Sequence, residues 1–221
     1  MPTNTAEIIN LNNTFPAWQG VGSMANARRH VNATVLPDGT VLVTGGTSLG
    51  GNNEAGSVFP AELWNPATSW QWTTLARMRI PRLYHSTAVL LPDGRVLSTG
   101  GGFGAGGTNY YEVEIFSPPY LFKGARPMIT SAPPSVGYGQ VFTVATPNAT
   151  DITKVTLIRL SSVTHSFNQD QRLATLSFTR VSGGVNVTAP ANGRISPPGH
   201  YLLFILKANG VPSEGRIIRI G

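Results

Sequence analysis

Apolar and polar residues alternate in short runs along this chain, and they rarely recur at the three-and-four spacing of an amphipathic helix. HSTAVLL and RVLSTGG have the period of strands, and Pro92-Asp93-Gly94 between them reads as a tight turn with glycine at positive φ. The hairpin occurs twice. RRHVNATVLPDGTVLVTGG, from Arg28, superposes on RLYHSTAVLLPDGRVLSTGG, from Arg82, so that Pro37-Asp38-Gly39 falls on Pro92-Asp93-Gly94 at an offset of 55 residues. The same offset relates AEIINL, with Glu7, to AELWNP, with Glu62, and a third copy, VEIFSP, carries Glu114. Trp18 matches Trp72, and Met24 matches Met78, one deletion away.

Repeats of this length, built from short strands and Gly-Gly punctuation, predict propeller blades. One four-strand blade runs from about His30 to Leu75, a three-strand copy runs from about His85 to Ser117, and only two strands precede Arg28. Strands of two, four and three are too few for a ring, since a closed propeller of four to eight blades needs sixteen or more. The first half is therefore expected to be an open array that begins in mid-blade. Its uncovered flanks leave several hundred square ångströms of apolar surface wet, which costs on the order of 10 kcal/mol. Self-association, or a partner chain that supplies the missing blades, is the expected remedy.

PPYLFKGARPMITSAPPSV is proline-rich and marks a junction. Beyond it, QVFTVAT, KVTLIRL, ATLSFTRV, VNVTAP, HYLLFILK and GRIIRI read as strands of an immunoglobulin-like sandwich. The fold class is all-β, with a partial propeller of about two blades plus a half blade over residues 1–122 and a sandwich over residues 123–221.

Composition narrows the chemistry. The 221 residues include 25 Gly and 17 Pro but no cysteine, which excludes disulfides, thiolate metal sites and a cysteine nucleophile. The net charge of +6 comes from a shortage of acids, with the basic residues scattered, so no nucleic-acid face is expected. No run of apolar residues is long enough to span a membrane, and MPTNTAEIIN lacks the regions of an export signal, which leaves localisation open.

Few side chains offer reactive groups. Tyr84 and His85 are consecutive and serve one site only if they lie in the loop entering a strand. His165, in SSVTHSFNQDQR, sits at a polar hairpin tip able to reach another domain. A phenol oxygen and two imidazoles are a suitable donor set for Cu(II). His30 occupies the repeat position of His85 and reads as structural, and His200 reads as a strand-opening surface or core polar residue. Asp170 and Arg172 are expected to pair. Phe103 and Tyr110 or Tyr111 are candidates to line a channel mouth or, equally, to pack in the core. GGGFGAGG lacks the following helix of a phosphate-binding loop, so that reading is rejected.

RLYHSTAVLLPDGRVLSTGGG, EIFSPPYLFKGARPMI and VTHSFNQDQR together resemble the last part of galactose oxidase and glyoxal oxidase, the copper radical oxidases. That resemblance extends from about Ala6 to Gly221. It implies a kelch-type propeller followed by a sandwich whose hairpin enters the propeller channel, and oxidation of primary alcohols or aldehydes with reduction of O2 to H2O2. Tyr84 would be the axial copper ligand and proton acceptor, and His85 and His165 the equatorial ligands. The family's remaining ligand is a tyrosine cross-linked to cysteine, both from earlier blades, and this chain has neither those blades nor any cysteine. The chain alone is then not catalytically competent. The alternative is a non-catalytic kelch and immunoglobulin-like module that binds glycan or protein and self-assembles or pairs with an N-terminal chain. A carbohydrate or a small aldehyde or alcohol is the expected small-molecule partner.

Overall fold

A computed structural model describes residues 1–68, 70–102 and 108–221. Their regular structure is all strand apart from three short 3-10 turns. β1 (Glu7–Ile9) and β2 (Trp18–Gly20) form an antiparallel ribbon. β3 (Asn32–Val35), β4 (Val41–Thr44), β5 (Pro60–Trp64) and β6 (Trp72–Arg77) make a four-stranded antiparallel sheet in chain order. A three-stranded sheet follows, with β7 (Ser86–Leu90), β8 (Val96–Gly100) and β9 (Val113–Phe116).

The sequence repeat is also a repeat of hydrogen bonds. In both Pro-Asp-Gly turns the glycine N–H donates to a leucine carbonyl at 2.9 Å, Gly39 to Leu36 and Gly94 to Leu91. Their φ values of 96° and 81° are left-handed, which glycine adopts without a Cβ clash. Glu62 accepts from the N–H groups of Ala25 (2.6 Å) and Asn26 (3.3 Å), and Glu114 likewise accepts from Arg79 (2.8 Å) and Ile80 (3.3 Å). Arg28 donates to the carbonyls of Gly45 and Pro60, and Arg82 to those of Gly100 and Glu112. Each acid thus secures the segment that leads into its own sheet. Arg28 also pairs with Glu62, both side chains fully buried. Burial opposes ionisation of Glu62, but hydrogen bonds from Asn26 and Ala25 and the charge of Arg28 outweigh it and hold the carboxyl below its ordinary value.

The second half contains β10 (Ser135–Val136), β11 (Val141–Ala145), β12 (Ile152–Arg159), β13 (Val163–Thr164), β14 (Phe167–Asn168), β15 (Leu173–Leu176), β16 (Phe178–Val181), β17 (Gly184–Thr188), β18 (Gly199–Lys207) and β19 (Arg216–Ile220). A five-stranded sheet has the order β10-β19-β18-β12-β15, and a three-stranded sheet has the order β11-β17-β16. ATLSFTRV, expected as one strand, is two. It leaves the five-stranded sheet after Leu176 and joins the other at Phe178, so the chain changes sheets within two residues.

Packing explains the unbroken apolar run in β18. Tyr201, Leu203 and Ile205 join Phe142, Val144, Val185 and Val187 in a core between the two sheets. Leu202, Phe204 and Leu206 point the other way, into a second core with Leu36, Leu42, Ala88, Leu90, Val96 and Tyr120. Buried on both faces, the run from Leu202 to Leu206 is apolar throughout. The proline-rich junction is therefore tightly held. Tyr120, 2% exposed, donates its hydroxyl to the Gly94 carbonyl, and burial raises its pKa. Arg126 spans the two halves, donating to Asp93 O (2.7 Å), Pro212 O (2.9 Å) and Ser213 O (2.6 Å). No helix among the described residues is long and apolar enough to cross a membrane.

Glu62→Gln leaves the buried Arg28 charge without its partner, and urea denaturation at neutral pH should show a loss of about 3–5 kcal/mol. Because the Glu62 pKa is lowered on folding, its contribution is present above the ordinary glutamate value and disappears as pH falls through the folded one. A pH series should accordingly show a shallower acid limb in the variant than in the parent.

Candidate metal centre

Two local backbone features build the site. Ser86 N–H donates to Leu83 O at 3.0 Å, closing a turn in which Tyr84 and His85 occupy the central positions. His85 has φ 66°, the left-handed value that a type II turn demands at its second central residue. That bend removes the strand alternation which would send the two side chains to opposite faces. Instead the Tyr84 and His85 rings stack, with centroids 4.0 Å apart at 29°. Tyr84 N–H donates to Asn52 Oδ1 at 3.2 Å, which fixes the turn against the loop after β4.

The second feature is the hairpin of β13 and β14. Thr164 pairs with Phe167, so His165 and Ser166 form a two-residue turn with φ 53° and 61°. Two consecutive left-handed residues define a type I′ turn, usually the place of Asn-Gly. A non-glycine residue there costs roughly 1–2 kcal/mol. Ser166 offsets that strain with bonds across the junction: its N–H donates to Ser86 O at 2.9 Å and its Oγ to Leu83 O at 2.9 Å. Ser166 Oγ also lies 3.2 Å from Ser86 Oγ, which receives Asn32 Nδ2 at 2.8 Å. All three side chains are buried, and together they join β3, β7 and the hairpin tip.

The docked hairpin brings the His165 ring 4.5 Å from that of His85, edge-on at 74°, and 5.4 Å from that of Tyr84. The structure thus gathers Tyr84, His85 and His165 from both halves of the chain. Among the described residues no group of three or more His, Cys, Asp or Glu suits a metal. The assembled set is one phenol and two imidazoles, oxygen and nitrogen donors that fit Cu(II) chemically.

His30, read as a structural repeat residue, lies beside this cluster with its ring 5.3 Å from that of Tyr84 and φ 55°. Burial, and then the charge of Arg29, lowers its pKa, and its buried Nδ1 has no partner. His200 is exposed on β18. Asp170 faces Arg159 at 3.8 Å, not Arg172 as expected. The reason is register: Arg159 N–H donates to the Arg172 carbonyl, which places the Arg159 side chain beside Asp170. Tyr110 donates to Glu54 Oε2 at 3.0 Å, and Tyr111 is 86% exposed. Phe103 and most of GGGFGAGG lie outside the described residues. Sequence reasoning missed Ser166, Ser86 and Asn32, whose only signal was a serine adjoining each candidate histidine.

The glyoxal oxidase N-terminus family matches residues 2–120, and the galactose oxidase-like Early set domain matches residues 126–220. Galactose oxidase of Gibberella zeae is 36% identical over 203 residues, covering 88% of this chain and 29% of its own length. Aldehyde oxidase GLOX1 of Arabidopsis thaliana is 34% identical over 239 residues, covering 96% of this chain and 38% of its own. A solved fungal alcohol oxidase in complex with copper superposes with a TM-score of 0.89 at 30% identity, covering 99% of this chain and 48% of that one. With one family profile over more than half of its residues, the chain belongs to the galactose oxidase and glyoxal oxidase family. It spans under a third of the length of the galactose oxidase it matches.

Ser86→Ala removes the hydroxyl that links Asn32 to Ser166 and takes from the buried Asn32 amide its acceptor. Chemical denaturation should register a loss of about 1–3 kcal/mol, and amide exchange at Ser166 should quicken as the hairpin tip loosens.

Proposed function

We propose that Tyr84, His85 and His165 are three protein ligands of a Cu(II) ion in an oxidase of primary alcohols or aldehydes that reduces O2 to H2O2. The observation that carries this reading is the convergence of the three rings, with centroids between 4.0 and 5.4 Å apart, although the hairpin and the turn belong to different halves of the chain. Support comes from the relatives: a galactose oxidase, an aldehyde oxidase, and an alcohol oxidase whose solved structure contains copper.

Oxidising a primary alcohol to an aldehyde releases two electrons, of which copper, when bound, supplies the acceptor for one. The chain's own residues do the rest of the local work. His85 and His165 would hold the metal, and the Tyr84 phenol oxygen would take the substrate hydroxyl proton as a general base. The second electron needs another acceptor. A thioether-linked tyrosine requires a cysteine sulfur, and these residues include none. We therefore assign that group to residues outside this chain and read the chain by itself as unable to turn over.

On the same reading, the two-, four- and three-stranded sheets are about two blades plus a half blade of a kelch-type β-propeller over residues 1–122, and residues 123–221 are an immunoglobulin-like sandwich. The repeat in which Glu62 and Glu114 each accept from two main-chain amides, while Arg28 and Arg82 each donate to two carbonyls, supports successive blades. On the last of these sheets Val89 pairs with Leu97 and Leu97 with Ile115, so their side chains share one face, while Val113 and Ile115 are 53% and 46% exposed. We assign that face a covering sheet, supplied by a second copy or by a chain bearing further blades.

Copper titration of the purified chain tests the site. The parent should bind one Cu(II) with a tetragonal electron paramagnetic resonance signal, and His165→Ala should lose it or bind at least tenfold more weakly. Equal uptake by the variant would refute the ligand assignment. Sedimentation velocity tests the flank: the isolated chain should sediment above its 23.5 kDa monomer mass, and a clean monomer would mean that the face needs no cover.

A further inference from the structure

His165 Nδ1 lies 2.5 Å from Thr164 Oγ1, the hydroxyl of the residue before it. A neutral imidazole carries one N–H and one lone pair, and the hydrogen bond made by one nitrogen decides which of the two the other presents. Nδ1 is the nitrogen near the backbone, within reach of a neighbouring side chain, and Nε2 is at the far end of the ring. With Nδ1 engaged by Thr164, Nε2 is the nitrogen left to meet Tyr84 and His85. Both Thr164 and His165 are exposed, so the threonine proton has water as an acceptor and Oγ1 is free to receive from the ring. The left-handed backbone at His165 and Ser166 already fixes where the ring starts. A bond to Nδ1 opposes a flip of the ring.

We propose that Thr164 is a positioning residue that fixes His165 as the Nδ1–H tautomer, with Nδ1–H donating to Thr164 Oγ1, so that Nε2 presents its lone pair to the metal. This rests on the copper reading given above, and it adds the atom through which His165 binds and the group that orients it. It also gives the hairpin a chemical role in addition to its mechanical one: β13 delivers the ring and selects its reactive nitrogen.

The test has a readout that needs no metal. In the full chain labelled with 15N-histidine and held metal-free at about pH 8, long-range 1H–15N correlation shows which ring nitrogen of His165 carries the proton. The parent should be protonated at Nδ1. Thr164→Val keeps the branched shape suited to a strand but cannot accept a hydrogen bond, and should shift His165 toward the Nε2–H tautomer. Thr164→Ser should restore the parent pattern. Cu(II) affinity should fall about tenfold or more in the valine variant, the range typical of residues behind a ligand, and recover with serine. An Nε2–H tautomer in the parent, an unchanged tautomer in Thr164→Val, or a shifted tautomer with unchanged copper affinity would each overturn the proposal. If His165→Ala binds copper as the parent does, the copper reading fails. If that variant loses copper while Thr164→Val keeps both tautomer and affinity, only the role of Thr164 fails. Backbone amide spectra that match the parent's confirm that each variant is folded.

Discussion

Neither β12 over residues 155–158 nor β18 over residues 201–206 has a solvent face. Val155 and Leu157 enter the core between the two sheets of the second half, while Thr156 and Ile158, on the alternate positions of β12, face the first half. A slip of one residue would exchange these faces, pointing Val155 and Leu157 at the first half and Thr156 at the sandwich core. Register in β12 is therefore fixed from both sides. Because β13 and β14 follow directly from the end of that strand, the same constraint decides where the His165 hairpin emerges and which turn it meets. The candidate centre depends on a close-packed sheet more than on any contact between its own residues.

Within the centre, three histidines take left-handed backbone conformations, His30, His85 and His165. Such conformations are unfavourable for a residue with a Cβ and persist only where the surroundings over-determine them. For His85 and His165 the surroundings are specific: the 83–86 turn bond, the Ser166 bonds to Leu83 and Ser86, and the Asn32 amide. These buried polar contacts take the place of glycine's freedom. They also spare a histidine at a position where glycine would fold more easily but contribute no ring nitrogen.

Much of the architecture is legible in the alternation of apolar residues and in the matched Pro-Asp-Gly turns, because both depend on local geometry that the sequence states directly. Tyr84, His85 and His165 could be picked out as the few residues able to hold a metal. Their convergence followed only from the family resemblance, since no local pattern states how β12 sits between two cores. ATLSFTRV looks like one strand because its alternation passes through Ser177 unbroken, and only the competing pull of β12 and β17 divides it. Asp170 was matched with its neighbour in sequence, but antiparallel pairing brings Arg159 closer. Ser166 escaped notice because a serine at a hairpin tip is ordinary until the groups it touches are known.

Both Pro-Asp-Gly turns meet the second half through main-chain oxygens. Pro37 O receives Thr156 Oγ1, Asp38 O receives Lys154 Nζ, Pro92 O receives the Gly215 amide, and Asp93 O receives Arg126. A carbonyl is the same in every amino acid, so this seam reads the path of the tip and is indifferent to which side chains decorate it. Drift in those side chains is tolerated as long as the loop keeps its shape, and the two glycines preserve that shape. One module can then be reused along the chain and clasped each time by a different group from across the boundary.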